Sequence, residues 1–353
     1  MHKVRFLLIF AGLWLAASLC HAQSALLDLP RKSQNAEVSQ TIGITNVTVK
    51  YSRPLVNGRK VFGGLVPYGD VWRAGANENT VITFADPVSI EGKSLDKGTY
   101  GLFMIPTEDQ WTIIFSKISS AWGAFTYKQD EDVLRVTVKP AASDFQDALI
   151  YEFDDLKPDS AVVTLRWDKL AVPFKVSVNV QQVVEQSLAK QFRGIVQYTW
   201  VSYDDAANYL LDAKTDLPEG LKYADLSIGA EERYDNLMTK SRILAAIGKP
   251  DEAKSFTAQA LAKADAGQSY QYARQLQRDG KQDEAFAIFR GIAKKYPTNL
   301  FAYAGLSRIA VGAGNYEEAV KEMKLAKDAA PDNAKSQIQG LVSRLEAKQD
   351  INK

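Results

Sequence analysis

Cysteine and histidine are almost missing from this 353-residue chain, which has one Cys and two His. All three, His2, Cys20 and His21, fall within the first 22 residues. Lys3 and Arg5 precede an uncharged apolar run from Phe6 to Leu19, and Cys20-His21-Ala22 puts small residues at −3 and −1 of a cut before Gln23. That layout predicts a secretory signal peptide over 1–22 and a periplasmic or secreted product. The run falls short of the roughly 20 residues that span a bilayer, and no later apolar run is long enough, so no membrane span is expected after cleavage. Acylation of Cys20 fits less well, because Leu19 stands where a small residue is wanted.

Residues 23–353 then contain neither Cys nor His. Disulfides, Cys/His zinc sites, haem ligation by His, Cys nucleophiles and Ser-His-Asp arrangements are chemically excluded from them. Charge of one sign is also lacking: 43 Lys+Arg stand against 42 Asp+Glu, without the basic excess of a dedicated nucleic-acid binder. No Gly-rich phosphate loop follows a strand pattern. The expectation is a protein with no cofactor, no metal and no nucleic-acid partner.

What is present divides in two. From Val38 to Asn179 the apolar residues alternate, as in Val47-Val49-Tyr51, Tyr100-Leu102-Met104, Trp111-Ile113-Phe115 and Val172-Phe174-Val176-Val178. Period two with turn signals such as Glu91-Gly92-Lys93 and Lys157-Pro158-Asp159 predicts an all-β sandwich of eight or nine short strands over residues 23–180. Ser52 to Thr80 has no clean period and is longer than ordinary connections, which marks a functional loop.

From Gln181 the pattern turns helical. GKPDEA begins at Gly248, GKQDEA at Gly280 and GNYEEA at Gly314, and Pro297 and Pro331 stand at the same distance after Gly280 and Gly314 respectively. These intervals match the period of about 34 residues that belongs to tetratricopeptide helix pairs, and they predict an all-α helical-repeat domain of that kind over 181–353. A degenerate earlier unit is expected through Ala206 to Ser227. Gly ends each first helix, small residues let the pair approach, and Pro ends the second.

The candidate ligand site is Tyr51, Arg53, Arg59, Tyr68, Trp72, Arg73, Asn77 and Glu78 in and around the aperiodic stretch, with Trp122 from a second aromatic cluster expected across the same sandwich end. Arginine forks suit carboxylate or phosphate, and aromatic faces suit sugar rings or cations. The same residues also read as internal ties, with an Arg73–Glu78 ion pair and Trp72 and Tyr68 packing the loop. Asp130-Glu131-Asp132 reads as a solvated acidic turn rather than a calcium loop.

Tyr51-Ser52-Arg53-Pro54, Gly58-Arg59, Leu65-Val66-Pro67-Tyr68-Gly69, the run Val71 to Glu78, Gly98-Thr99-Tyr100 and Trp122-Gly123 together resemble a family of exported bacterial proteins built on a domain of unknown function, some with a helical-repeat tail. The resemblance spans about residues 30–180. It implies export and the two-part architecture and supplies no activity. The functional expectation is an exported non-catalytic binding protein, taking a glycan or peptide end at the loop and a protein partner on the repeats. The alternative is an envelope or polysaccharide hydrolase using Glu78 as acid or base with Arg73 tuning it, a depressed pKa suiting a base or nucleophile better than an acid.

Overall fold

The computed structural model describes residues 29–352, so the expected signal peptide lies outside the described residues. The chain forms two compact units that divide between Glu185 and Gln186.

In the first unit ten strands follow in chain order: β1 (Gln34–Ile42), β2 (Thr45–Arg53), β3 (Thr80–Phe84), β4 (Val88–Ile90), β5 (Lys93–Leu95), β6 (Gly98–Pro106), β7 (Trp111–Ser116), β8 (Asp132–Val138), β9 (Ala141–Lys157) and β10 (Ser160–Ser177). A six-stranded sheet, β1-β2-β3-β6-β7-β8, faces a four-stranded sheet, β5-β4-β10-β9, and every pairing is antiparallel. The inward residues of both sheets, among them Val47, Val49, Ile82, Leu102, Ile113, Val163, Leu165 and Phe174, make one core. Alternation along each strand put them there, since successive side chains point to opposite faces.

The strand count exceeds the expected eight or nine for a physical reason. β4 and β5 are three-residue strands around the Glu91-Gly92 turn, too short to display a period. In the other direction, the runs Ala161 to Trp167 and Val172 to Val178 belong to one strand, β10, kinked where Asp168 takes a φ of 56° and the register with β9 shifts.

In the second unit the helices are α2 (Trp200–Asp212), α3 (Leu217–Ala230), α4 (Tyr234–Ala246), α5 (Pro250–Lys263), α6 (Ala266–Arg278), α7 (Gln282–Lys295), α8 (Leu300–Gly312), α9 (Tyr316–Asp328) and α10 (Asp332–Glu346), after α1 (Val180–Gln191), which runs through the boundary. The repeat glycines sit where spacing placed them: Gly248, Gly280 and Gly314 have φ of 80°, 77° and 74° and turn α4 into α5, α6 into α7 and α8 into α9. Left-handed backbone of this kind costs little only without a Cβ. The degenerate unit is α2 and α3, packed through Ala206, Ala207 and Ala224, but its turn uses Lys214 and Asp216 in left-handed conformations instead of glycine. No helix among the described residues is long and apolar enough to cross a membrane.

Between α7 and α8 the approach is close, because a Cβ on Gly305 would stand 3.0 Å from Phe289, which is itself fully buried. Truncating Phe289 to Ala should therefore open a cavity and cost the helical unit about 3–5 kcal/mol. Urea unfolding followed by helical ellipticity measures that loss.

Candidate functional site

The aperiodic stretch runs from Pro54 to Asn79, between β2 and β3, and its anchor is Trp72. Trp72 exchanges two backbone hydrogen bonds with Met104, each 2.8 Å, adding one more rung beside β6. Its indole enters the core, stacked on Trp167 at 5.9 Å and 17° and edge-on to Phe62 and Trp111, and its Nε1 donates to the Gly75 carbonyl at 3.2 Å. Trp72 is thus chiefly an internal tie, as the alternative reading of the loop had it.

Two residues on, the backbone is fixed from beneath. Ala74 is buried with a φ of 54°, and its carbonyl accepts from Thr80 Oγ1 and from the Tyr151 hydroxyl, both at 2.9 Å. Gly75 follows because a Cβ there would meet Thr80 Oγ1 at 2.7 Å. Asn77, also left-handed at 57°, donates through Nδ2 to the Ser33 carbonyl, and its own carbonyl accepts from the Gly123 N–H at 3.1 Å. Buried Asn79 completes the link: its Oδ1 accepts from the Ala121 N–H at 2.8 Å. The two aromatic clusters therefore do meet at one end of the sandwich, where Glu78 and Trp122 form an isolated antiparallel bridge.

Glu78 is not paired with Arg73. Its two oxygens accept from one nitrogen of Arg31 at 2.5 and 2.7 Å, and the Arg31 guanidinium also lies 5.9 Å from the centre of the Trp122 ring. This hydrogen bonding holds the Glu78 carboxyl below its ordinary range. Arg73 makes no side-chain hydrogen bond or ion pair among the described residues, and its Nε is buried without a partner. Desolvation by burial lowers its pKa.

The predicted residues are distributed over two cavities. One, of about 740 Å³, is lined by Tyr51, Glu78 and Trp122 together with Asn35, Lys50 and Ser119. The other, of about 650 Å³, is lined by Arg59, Trp72, Arg73 and Asn77 together with Lys32 and Leu65. Arg53 lines neither and donates to the Leu149 carbonyl at 3.0 Å. Tyr68 lines neither and lies over Gly63, where a Cβ would stand 2.7 Å from its ring. Tyr51 faces its cavity but also accepts the Tyr151 N–H on its hydroxyl. Arg59 is partly committed, donating to the Val56 and Leu55 carbonyls at 3.0 and 2.5 Å. In the acidic turn, Asp132 accepts from Arg135 and Tyr127.

Comparison with known proteins gives the two parts their families. Residues 33–176 match the model described as Protein of unknown function (DUF2911), and residues 276–345 match a tetratricopeptide repeat model. The chain carries a DUF2911 domain followed by tetratricopeptide repeats. No curated protein matches it. One solved structure, described as "Crystal structure of YrrB: a TPR protein with an unusual peptide-binding site", is similar at 19% identity and a TM-score of 0.28, covering 45% of this chain and 84% of that one.

In and just before the DUF2911 domain the residues that sequence reasoning did not find are Arg31, Lys32, Ser33 and Tyr151. The first three precede β1 and have no periodic pattern to mark them, and Tyr151 reads as one more alternating strand residue. The ion pair yields a pH prediction with a definite sign. Because the Glu78 pKa is depressed, the pair contributes above the ordinary carboxyl range and is lost as pH falls through the lowered value. Both side chains are more than a third exposed, so the contribution is no more than about 1 kcal/mol. Glu78→Gln should fold with at most that loss in urea while trypsin cleaves faster after Arg31 or Lys32. Acidifying the native chain should change Trp122 fluorescence in the same way as the substitution.

Proposed function

We propose that this is an exported, non-catalytic binding protein whose tetratricopeptide repeats hold a protein partner and whose DUF2911 domain holds a polar ligand, a glycan or a peptide end, beside the loop before β3. Export rests on the residues Lys3 and Arg5 ahead of the apolar run Phe6 to Leu19. The repeats themselves support an interaction role, since stacked helical pairs build extended surfaces for partners.

One observation carries the partner reading. α6, α8 and α10 line a cavity of about 390 Å³ with an apolar floor that includes Phe301, Ile338 and Leu341 and a rim that includes Arg274 and Arg278. Neither rim arginine has a carboxylate partner among the described residues: Arg274 donates to Gln277 and Arg278 to Gln275. An apolar floor with guanidinium groups that no carboxylate neutralises is the composition that binds a peptide segment carrying acidic groups. Glu78 gives the hydrolase alternative no comparable support, because both of its oxygens are occupied by Arg31.

Arg278 and Gln337 are exposed members of this lining, so reversing their character should spare the fold. The double variant Arg278→Glu/Gln337→Glu should keep the native ellipticity and melting temperature and bind the partner recovered by the native chain about tenfold or more weakly. Equal recovery by the variant would end the partner reading.

A further inference from the structure

The cavity between the segment before β1 and the loop before β3 carries side-chain charge of one sign. Three cations line it, Lys32, Arg59 and Arg73, and no Asp or Glu does. The chain as a whole carries nearly equal numbers of both signs, and many of its lysines and arginines pair with acids. These three do not. Lys32 has no hydrogen-bond or ion-pair partner among the described residues, and Arg59 uses its Nε and one terminal nitrogen on carbonyls, which leaves the other terminal nitrogen free.

Arg73 is the decisive member. It stands between Trp72, which is locked into the core, and Ala74, whose carbonyl is held by two donors, so its backbone is fixed on both sides. A guanidinium that is half desolvated and unpaired weakens the folded state, and its lowered pKa is the sign of that cost. An anion entering the cavity removes it. The remaining lining narrows the class of anion. Leu55, Leu65, Val66 and Trp72 supply apolar surface, while Asn57 and Asn77 add amides to the same lining. A volume of about 650 Å³ is of the size that encloses a small organic molecule or the last few residues of a peptide.

We propose that this cavity is a carboxylate site, in which Arg73 takes the carboxylate in its planar fork, Lys32 and Arg59 add attraction from the rim, and Leu55, Leu65 and Trp72 receive an apolar body next to it. The carboxylate belongs to a peptide C-terminus or to a free organic acid, since both present the same group. This deepens the polar-ligand part of the function proposed above and rests on it. It is independent of the repeat partner.

The test uses the full chain and isothermal titration with four probes: an N-acetylated apolar tripeptide with a free C-terminus, the same peptide as its C-terminal amide, octanoate and inorganic phosphate. The free-acid peptide is expected to bind, more weakly as salt is raised, and the amide is expected not to. Octanoate binding as well would assign recognition to the carboxylate whatever its source, and peptide binding without octanoate would assign it to a peptide end. Arg73→Met should reduce affinity about tenfold or more, as expected when a charge-assisted bidentate contact is lost, while raising the melting temperature by about 2–4 °C because the unpaired charge is gone. A merely structural arginine would show the opposite, a lower melting temperature. Arg73→Lys should bind weakly, since an ammonium keeps the charge without the fork. If Arg73→Met does not fold, Lys32→Gln/Arg59→Gln takes its place, with an expected loss of severalfold in affinity. Equal binding of acid and amide, unchanged affinity in these variants, or binding of phosphate and of neither carboxylate overturns the proposal. A neutral sugar that binds Arg73→Met as well as the native chain would overturn it too, and would leave the broader polar-ligand reading standing.

Discussion

A single buried carbonyl, that of Ala74, fixes the loop on which both cavities depend. It accepts from Tyr151 on β9 and from Thr80 at the start of β3, so one atom joins the two sheets and the loop between them. The left-handed conformation of Ala74 costs of order 1–2 kcal/mol for a residue with a Cβ. Two buried hydrogen bonds of about 1 kcal/mol each are enough to hold it, and losing either donor would leave part of that strain uncompensated. The Tyr151 hydroxyl has every reason to stay protonated, because full burial pushes its pKa well above the ordinary value. The loop's register therefore does not change with pH through this contact.

Trp72 acts from the other side of the same loop. With its ring against Trp167, Phe62 and Trp111, the tryptophan fastens the whole irregular stretch from Pro54 to Asn79 to the centre of the core. Aromatic burial of this size is worth more than the loop's exposed ion pair by a wide margin. Between Trp72 and Ala74 the chain has little freedom, and the side chain that sits there is Arg73. Asn77 and Asn79 then tie the rest of the loop to residues 118–123, which explains why two clusters distant in the chain, Val71 to Glu78 and Trp122 to Tyr127, share one end of the sandwich.

The architecture was legible because it is written in periods. Alternation exposed the long strands, and the near-equal intervals between Gly248, Gly280 and Gly314 exposed the helical pairs. What failed did so where no period exists. β4 and β5 are too short to alternate, and the two runs in β10 were separated by a bulge at Asp168 that breaks the pattern without breaking the strand. In the site, proximity along the chain misled: Arg73 and Glu78 are near neighbours and opposite in charge, yet Ala74 and Asn77, both left-handed, turn them toward different cavities. The partner of Glu78 is Arg31, which comes from a distant segment with no periodic signal.

That divergence bears on what the loop is for. Glu78, largely in water, has a partner in Arg31, where a pair is worth little because solvent screens it. Arg73, half withdrawn from water, has none, although a partner there would be worth far more. The chain holds 42 Asp and Glu residues, and a single acid in place of Asn57 or Asn77 would put a negative charge into the cavity that Arg73 lines. Amides stand there instead. An amide donates to a carboxylate and does not repel it, whereas an acid on that wall would neutralise Arg73 permanently and close the cavity to anions. The polar side chains of the lining are therefore three cations, two amides and the Ser33 hydroxyl, without an acid, which is the condition for the missing counter-charge to come from outside the chain.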